Sequence, residues 1–539
     1  MRKRIAVARI GGLITLGVVI VAGLVVGGVF LARNLGTESQ QQTTLRVALL
    51  SFGDEVLDPY DDFQAGWRYY GPMFDHLLGE ASDGTPALEW GVLEKWDASP
   101  DAATYTLSLK QGLMWHSGAE ITSDDVKFSL QNHLRTAVAC GACGTLRGNI
   151  EGVDVIDRYS LSVRLKQPDV GFIAKLGISE EDVTLLPTRD GLAELFANAP
   201  FGSGPWMYAN RSPGEFIVYE ANPDYWNAER LPGFKQLRLI QAPERDTRLA
   251  MLRTGTVDMA PIEPRDIEQP KAEGFAIEGP QNVIDMTLRF FMSYDPEYLT
   301  SKLDFRKALI LGMDVPSIIE RVYPPEAATP ATGSAMFGPL AEGYDPGLPS
   351  YPYDPAQARR LLDEMGYDGE AVQMLSIAVY SQSETTLVNQ IIAEGWRDIG
   401  LNVKIIPTSY LPVKARFLPR PQQFEDAFPA PVFQGGHTTI PGGILNAFER
   451  YLSSSSRSLL SYYDPERGDS LLADLTSMTD LEARRQKLKQ LNRELYDEYW
   501  AAPIVWRHEI YALREGLTGW QPADGTFTDL HLETVRPVP

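Results

Sequence analysis

The chain has 539 residues, 44% of them hydrophobic and 22% charged, with a formal net charge of −22. That is more chain than one compact core accommodates, so two or three packed bodies are expected. The acidic balance excludes a nucleic-acid partner held through its phosphates, which needs a basic surface.

The chain opens with the basic stretch MRKR. Gly11 to Ala32 then form a run of roughly 22 uncharged, mostly apolar residues, enough to span a bilayer as a helix. The basic flank of residues 1–10 stays in the cytoplasm, which puts everything after the run outside it. The run is longer than the ~7–15 residues of a signal core, and no small-residue cleavage site follows. It therefore reads as an uncleaved anchor rather than a cleaved signal. Residues 33–43 are a polar linker.

From Leu45 onward no repeat or low-complexity segment interrupts the chain. TLRVALLS has a strand pattern. Ala65–Leu78 has helical spacing at Trp67, Tyr70, Met73, Phe74 and Leu77. TYTLSLK (Thr104–Lys110) alternates Tyr105, Leu107 and Leu109, a strand with one buried face. After a turn carrying Trp115 and His116, ITSDDVKFSLQNHL starts a helix, with Thr122 three residues before Asp125 at capping-box spacing. QLRLIQ, a helix over Glu244–Thr254 stopped by Gly255, and VDMA make a βαβ unit. Asp354, Pro355 and Gly366 mark the N-cap, first turn and stop of another helix. Met374–Ser381, a helix carrying Leu387, Ile391 and Ile392 up to Gly400, and LNVKII form a second βαβ unit. The last long helix is expected over Thr479–Tyr499, with Leu481, Leu488, Leu491 and Leu495 facing inward. The pattern is α/β in at least two lobes, and strands crossing between lobes suit a ligand cleft with hinge closure.

Two cysteines occur, Cys140 and Cys143, as CGAC. This pattern can be a zinc half-site, a redox dithiol or a local disulfide. No second ligand pair accompanies it, and Ala139 replaces the aromatic of a thioredoxin-like motif. A local disulfide in an oxidising compartment is the expectation.

No phosphate-binding loop, dinucleotide fingerprint or H-E-x-x-H occurs. FGSGPW (Phe201–Trp206) lacks the spacing of a nucleophile elbow, so Ser203 is not read as catalytic. The histidines are scattered with no i, i+4 pair, and His116 is read as structural. Acidic pairs such as Asp124-Asp125 fit helix starts.

Several blocks, taken in order, resemble the family 5 solute-binding proteins of ABC transporters, the oligopeptide-, dipeptide- and nickel-binding group. LKQGLMWHSGAEITSDDVKFSL resembles the family's Trp/Phe-His-x-Gly turn followed by a Thr-Ala-Glu-Asp-Val helix. FGSGPWMYANRSPGEFIVYEANPDYWN is similar to its Gly-Thr-Gly-Pro-Tyr loop and Asn-x-x-Tyr-Trp turn. LRTGTVDMA, DFRKALILGMDVPSII, YPYDPAQARRLLDEMGY, YYDPERGDSLL and WAAPIVWRHEIYAL follow with family spacing. The resemblance covers nearly everything from residue 44 on.

It implies a bilobal, class II periplasmic-binding-protein-like fold with an extra domain, here preceded by one N-terminal transmembrane helix. Domain I would be 44–75, 196–280 and 505–539, domain II 76–195 and domain III 281–504, with a hinge at the two crossings. It implies capture of a peptide or other small solute by closure and delivery to ABC permease subunits, without catalysis, cofactor or metal. Within that frame the cleft is expected to be lined by Trp67 and Tyr69, by Trp206, and by Phe433, Gln434 and His437. The competing reading of each aromatic is core packing. Peptide binders of the group usually hold the peptide amine with an acidic residue that Pro429–Asn446 lacks, so a less cationic ligand is expected. The rival functions are a ligand-sensing receptor module and, less in keeping with the missing nucleophile–base pair, an extracytoplasmic hydrolase.

Overall fold

A computed structural model describes residues 43–538 except 54, 56, 60–65, 81–85, 136–140, 178–184, 189–191, 199, 291–292, 294–295, 379–383, 410–431, 439–443, 453–464 and 526–529. The apolar run Gly11–Ala32 lies outside the described residues. Among those described, no helix is long and apolar enough to cross a membrane.

Three large sheets organise the molecule. The first has seven strands, in the order Ala276–Glu278, Tyr511–Leu513, Met259–Pro261, Thr44–Leu49, Gln236–Gln241, Phe216–Ala221 and Trp206–Ser212. Its centre is parallel: Thr44–Leu49 runs alongside Gln236–Gln241 on one side and Met259–Pro261 on the other. The expected βαβ unit is present, with Thr44–Leu49 inserted between its two strands. Its helix, Arg245–Thr254, ends where Gly255 turns left-handed at φ 69°, a conformation that costs glycine little.

The second sheet has four antiparallel strands, Leu93–Ala98, Thr104–Leu109, Ser160–Leu165 and Ile150–Asp157. Tyr105, Leu107 and Leu109 are its buried face, as the alternation predicts. The helix Ser123–His133 packs with it, and its start is fixed by the Thr122 amide donating to Asp125 Oδ2 at 2.9 Å.

The third sheet has six strands, Ala328–Pro330, Ala501–Arg507, Ile284–Phe290, Val432–Thr438, Val372–Ala378 and Val403–Ser409. Val372–Ala378 and Val403–Ser409 pair in parallel across the helix Thr385–Asp398, which is the second βαβ unit. An apolar core lies on each face. Ile284, Met286, Leu288, Phe290 and Met374 belong to one, and Leu375, Phe448, Leu488 and Trp500 to the other.

Local details depart from the periodicity. The helix expected over Ala65–Leu78 is α-helical only over Trp67–Tyr70. It tightens to a 3-10 turn at Gly71–Met73 and becomes extended at Phe74. Pro72 has no amide hydrogen to continue the ladder. The last helix spans Leu481–Asp497, with Asp480 accepting from the Glu482 and Ala483 amides. Leu481, expected to face inward, is 53% exposed, because the first turn overhangs the core. Cys143 is disulfide-bonded and fully buried; Cys140 falls outside the described residues.

Candidate functional site

In open α/β sheets, ligands bind beyond the carboxyl ends of parallel strands, where no side-chain layer closes the surface. Both large sheets present such an edge, and the chain links them there. In the seven-stranded sheet the edge is formed by Leu49, Gln241 and Pro261, and Tyr511 joins it opposite Pro261. In the six-stranded sheet it is formed by Ala378, Ser409 and Thr438. Ile284 lies opposite Thr438 and Arg507 opposite Ile284, at that same edge. One crossing therefore runs from Glu278 to Ile284 and the other from Arg507 to Tyr511. Each leaves the carboxyl edge of one sheet and enters that of the other, so the crossings form a two-stranded link between the two carboxyl edges.

The crossings are hydrogen-bonded to each other. Val283 N donates to Arg507 O at 2.8 Å and Glu509 N to Pro280 O at 3.0 Å. A Cβ at Gly279 would overlap the Glu509 carbonyl, so the close approach requires glycine there. Charges collar the second crossing on both sides. Arg507 pairs with Glu384, at the start of the helix Thr385–Asp398, at 2.5 Å. Glu509 takes both guanidinium ends of Arg68, at 2.5 and 2.7 Å, and accepts from the Tyr511 hydroxyl at 3.2 Å. Burial and the Glu509 carboxylate push the Tyr511 hydroxyl far up. All of these side chains are largely buried.

The expected ligand residues divide. Arg68 brings the turn Trp67–Tyr70 to the crossing, but the neighbouring rings point into the protein. Tyr69 is fully buried, edge-on to Phe52 at 5.6 Å, and its carbonyl accepts from Tyr219. Trp67 is 7% exposed, tilted against His76 and Tyr70 at about 5 Å. Trp206 is fully buried and opens its strand opposite Ala221, at the amino end of the parallel strands. It packs in the seven-stranded sheet's core, at the end remote from the crossings.

On Val432–Thr438, Phe433 lies opposite Arg289 and His437 opposite Asp285, whereas Gln434 lies opposite Leu288. Directly paired residues share a face. Phe433 and His437 thus occupy register positions on the face of Asp285, Thr287 and Arg289, and Gln434 a position on the other. His437 is one residue from the carboxyl end, beside the crossings. Asp285 is 1% exposed and accepts from the Thr287 hydroxyl and from Met336 N; burial pushes its carboxyl up, against the pull of Arg289.

His116 has a mechanical place. Its Nε2 donates to Gly204 O at 2.9 Å, its Nδ1 accepts from Gly202 N at 3.2 Å, and its own amide donates to Gly202 O at 2.9 Å. Gly202 and Gly204 press on the Met73–Phe74 backbone where a Cβ would overlap it. The Trp-His turn and the Gly-Ser-Gly-Pro loop are thus two halves of one joint. The residues that sequence reasoning missed are Arg68, Asp285, Glu384, Arg507, His508 and Glu509. Their one local signal is Arg507-His508-Glu509 itself, three ionisable residues in succession inside an apolar strand segment.

The model of the bacterial extracellular solute-binding proteins, family 5 (middle), matches residues 87–457. The chain belongs to this family. Heme-binding protein A of Haemophilus influenzae is 26% identical over 444 residues, covering 77% of this chain and 78% of that one. Di/tripeptide-binding protein 2 of Pseudomonas aeruginosa is 28% identical over 371 residues, covering 62% and 66%. Among solved structures, NikA from Brucella suis in complex with Fe(III)-EDTA superimposes with a TM-score of 0.77 at 20% identity, over 92% of this chain and 99% of that one. AgaA in complex with agropinic acid superimposes with a TM-score of 0.72 at 22% identity, over 92% and 98%. The fold is the bilobal one of these binding proteins, and the relatives are binding proteins rather than enzymes.

Proposed function

We propose that this protein captures a small organic solute between the carboxyl edges of its seven- and six-stranded sheets and hands it to the permease of an ABC importer. The observation that carries the reading is the pair of crossings, which join the two sheets at the edges where α/β folds bind ligands. The two crossings act as the hinge, with residues 44–75, 196–280 and 505–539 as one domain, 281–504 as the facing one and 76–195 as the added one. The three sheets fall one to each, except that Val505–Arg507 continue the six-stranded sheet past residue 504. The apolar run 11–32 serves as the membrane anchor.

The relatives' names span heme, di- and tripeptides, an opine and a metal chelate. We place the solute of this chain among compounds that do not depend on one exposed ammonium group, because Pro429–Asn446 contains no Asp or Glu and a buried cation needs a paired charge. His437, at the cleft edge, and Phe433 are the contacts favoured on the six-stranded side. Trp67, Tyr69 and Trp206 serve on the seven-stranded side as packing rather than as contacts.

A thermal-shift screen of the fragment from residue 44 against dipeptides, opines, heme and metal chelates tests this. A solute at about 100 times its dissociation constant adds roughly 2.7 kcal/mol. Turnover of any of these compounds by the purified protein would overturn the assignment in favour of an enzyme. Tight binding of ordinary dipeptides, undiminished by Gln434→Ala with His437→Ala, would overturn the solute class.

A further inference from the structure

The two crossings meet at one side chain. His508 lies in the second crossing, between Arg507, which is tied to Glu384 beside the six-stranded sheet, and Glu509, which is tied to Arg68 beside the seven-stranded sheet. Its imidazole Nδ1 accepts the Asn282 amide of the first crossing at 2.9 Å. Its Nε2 lies 3.2 Å from Thr329 Oγ1 on the edge strand of the six-stranded sheet. Its own amide donates to Ala327 O at 2.8 Å. An amide can only donate, so Nδ1 carries no proton, and in the neutral ring the proton is on Nε2, aimed at Thr329. Asn282 itself is left-handed, at φ 53°, a conformation uncommon outside glycine.

We infer that His508 is the positioning residue of the hinge, a neutral imidazole that pins the two crossings together so that the facing sheets close on the solute along one path. The ion pairs make the ends of the second crossing part of opposite lobes. Rotation between the lobes is then absorbed where no ion pair holds the chain, at His508 and at Gly279–Val283. Protonation would put an N–H where the Asn282 amide needs an acceptor, and the pin would be lost.

The charged groups around the ring are Arg507 and Glu509 on its own strand, Glu384 and Tyr323 beyond Arg507, and Arg68 and Tyr511 beyond Glu509. Asp524, which accepts the Gln281 amide at 2.6 Å, flanks the first crossing. The Lys271–Glu326 pair precedes Ala327, and the neighbouring edge strand contributes the neutral Thr329. Burial, then Arg507, holds the His508 imidazole down to about 4, so the pin is set at neutral pH.

The test uses the full chain with nitroxides on Glu220→Cys and Lys404→Cys, exposed positions on the seven- and six-stranded sheets. It reads the inter-label distance together with hydrogen exchange at the Asn282 amide, and it needs no ligand. His508→Leu should broaden the distance distribution and speed Asn282 exchange by about tenfold, the worth of one lost hydrogen bond. His508→Gln, which can offer an acceptor to Asn282 and a donor to Thr329, should restore both. In the otherwise unchanged chain both readouts should shift on acidification with a midpoint near pH 4, and His508→Gln should abolish that limb while leaving any due to the carboxylates. Exchange at Leu107, in the four-stranded sheet, reports that the fold persists. Unchanged distance and exchange in His508→Leu would overturn the inference. So would an acid limb in His508→Gln as large as that of the unchanged chain, a measurement that stands even if the leucine variant fails to fold. The inference rests on the lobes closing as proposed above, but a failed solute screen would leave these readouts intact.

Discussion

His116 and His508 each bridge segments far apart in sequence, and they use the same chemistry to do so. In both, Nδ1 accepts a backbone amide while Nε2 faces an oxygen, and burial holds each imidazole below its ordinary range. The surroundings differ. At His116 the partners are the backbones of Gly202 and Gly204, themselves pressed on Met73 and Phe74, with apolar cores on both sides. That joint is welded. At His508 the partners are the Asn282 amide of the other crossing and Thr329 on the edge strand of the six-stranded sheet, with ion pairs to either side. The lesson is that a neutral histidine bonded to backbone is as rigid as the packing around it.

The comparison can be broken most sharply at the collar of the second crossing. Arg507→Met should cost about 3–5 kcal/mol in urea unfolding, because it leaves the Glu384 carboxylate buried without its cation. Adding Glu384→Leu should recover most of that loss, since neither charge then remains unpaired.

Acid acts on two buried histidines, His508 and His133. His508 and His133 are held to about 4 against an ordinary 6.5. Between those values the unfolded chain binds protons that the folded chain refuses. Stability is therefore intact above pH 6.5 and falls as pH drops toward 4, by roughly 3 kcal/mol per histidine. Stability measured against pH should show this decline, and His508→Gln should flatten its own share.

Gly202→Ala should destabilise by roughly 1–3 kcal/mol through overlap with the Met73 carbonyl. Gly118→Ala, in open space on the Trp-His turn at φ 82°, should cost about 1 kcal/mol from backbone conformation alone. The smallest effect belongs to His116→Gln, which keeps an acceptor and a donor at the joint and should cost about 1 kcal/mol or less in the same unfolding assay.

Local chemistry in the sequence determined a good deal by itself. Asp354 caps its helix by accepting from Gln357 N, Pro355 opens the helix, and Gly366 turns left-handed after it at φ 70°. Both βαβ units, the Thr122–Asp125 cap and the structural place of His116 were legible for the same reason: each depends on residues a few positions apart or on a short period. The ordered blocks of the chain also carried the family. Tertiary structure alone decided which end of a strand meets the crossings, which sent Trp206 to the remote end, and which face a register position occupies, which separated Gln434 from Phe433 and His437. It alone paired Arg68 with Glu509, 441 residues apart, and set His508 against Asn282. Such contacts depend on how whole sheets meet, and no local pattern encodes the partner of a charge whose desolvation is offset from the far end of the chain.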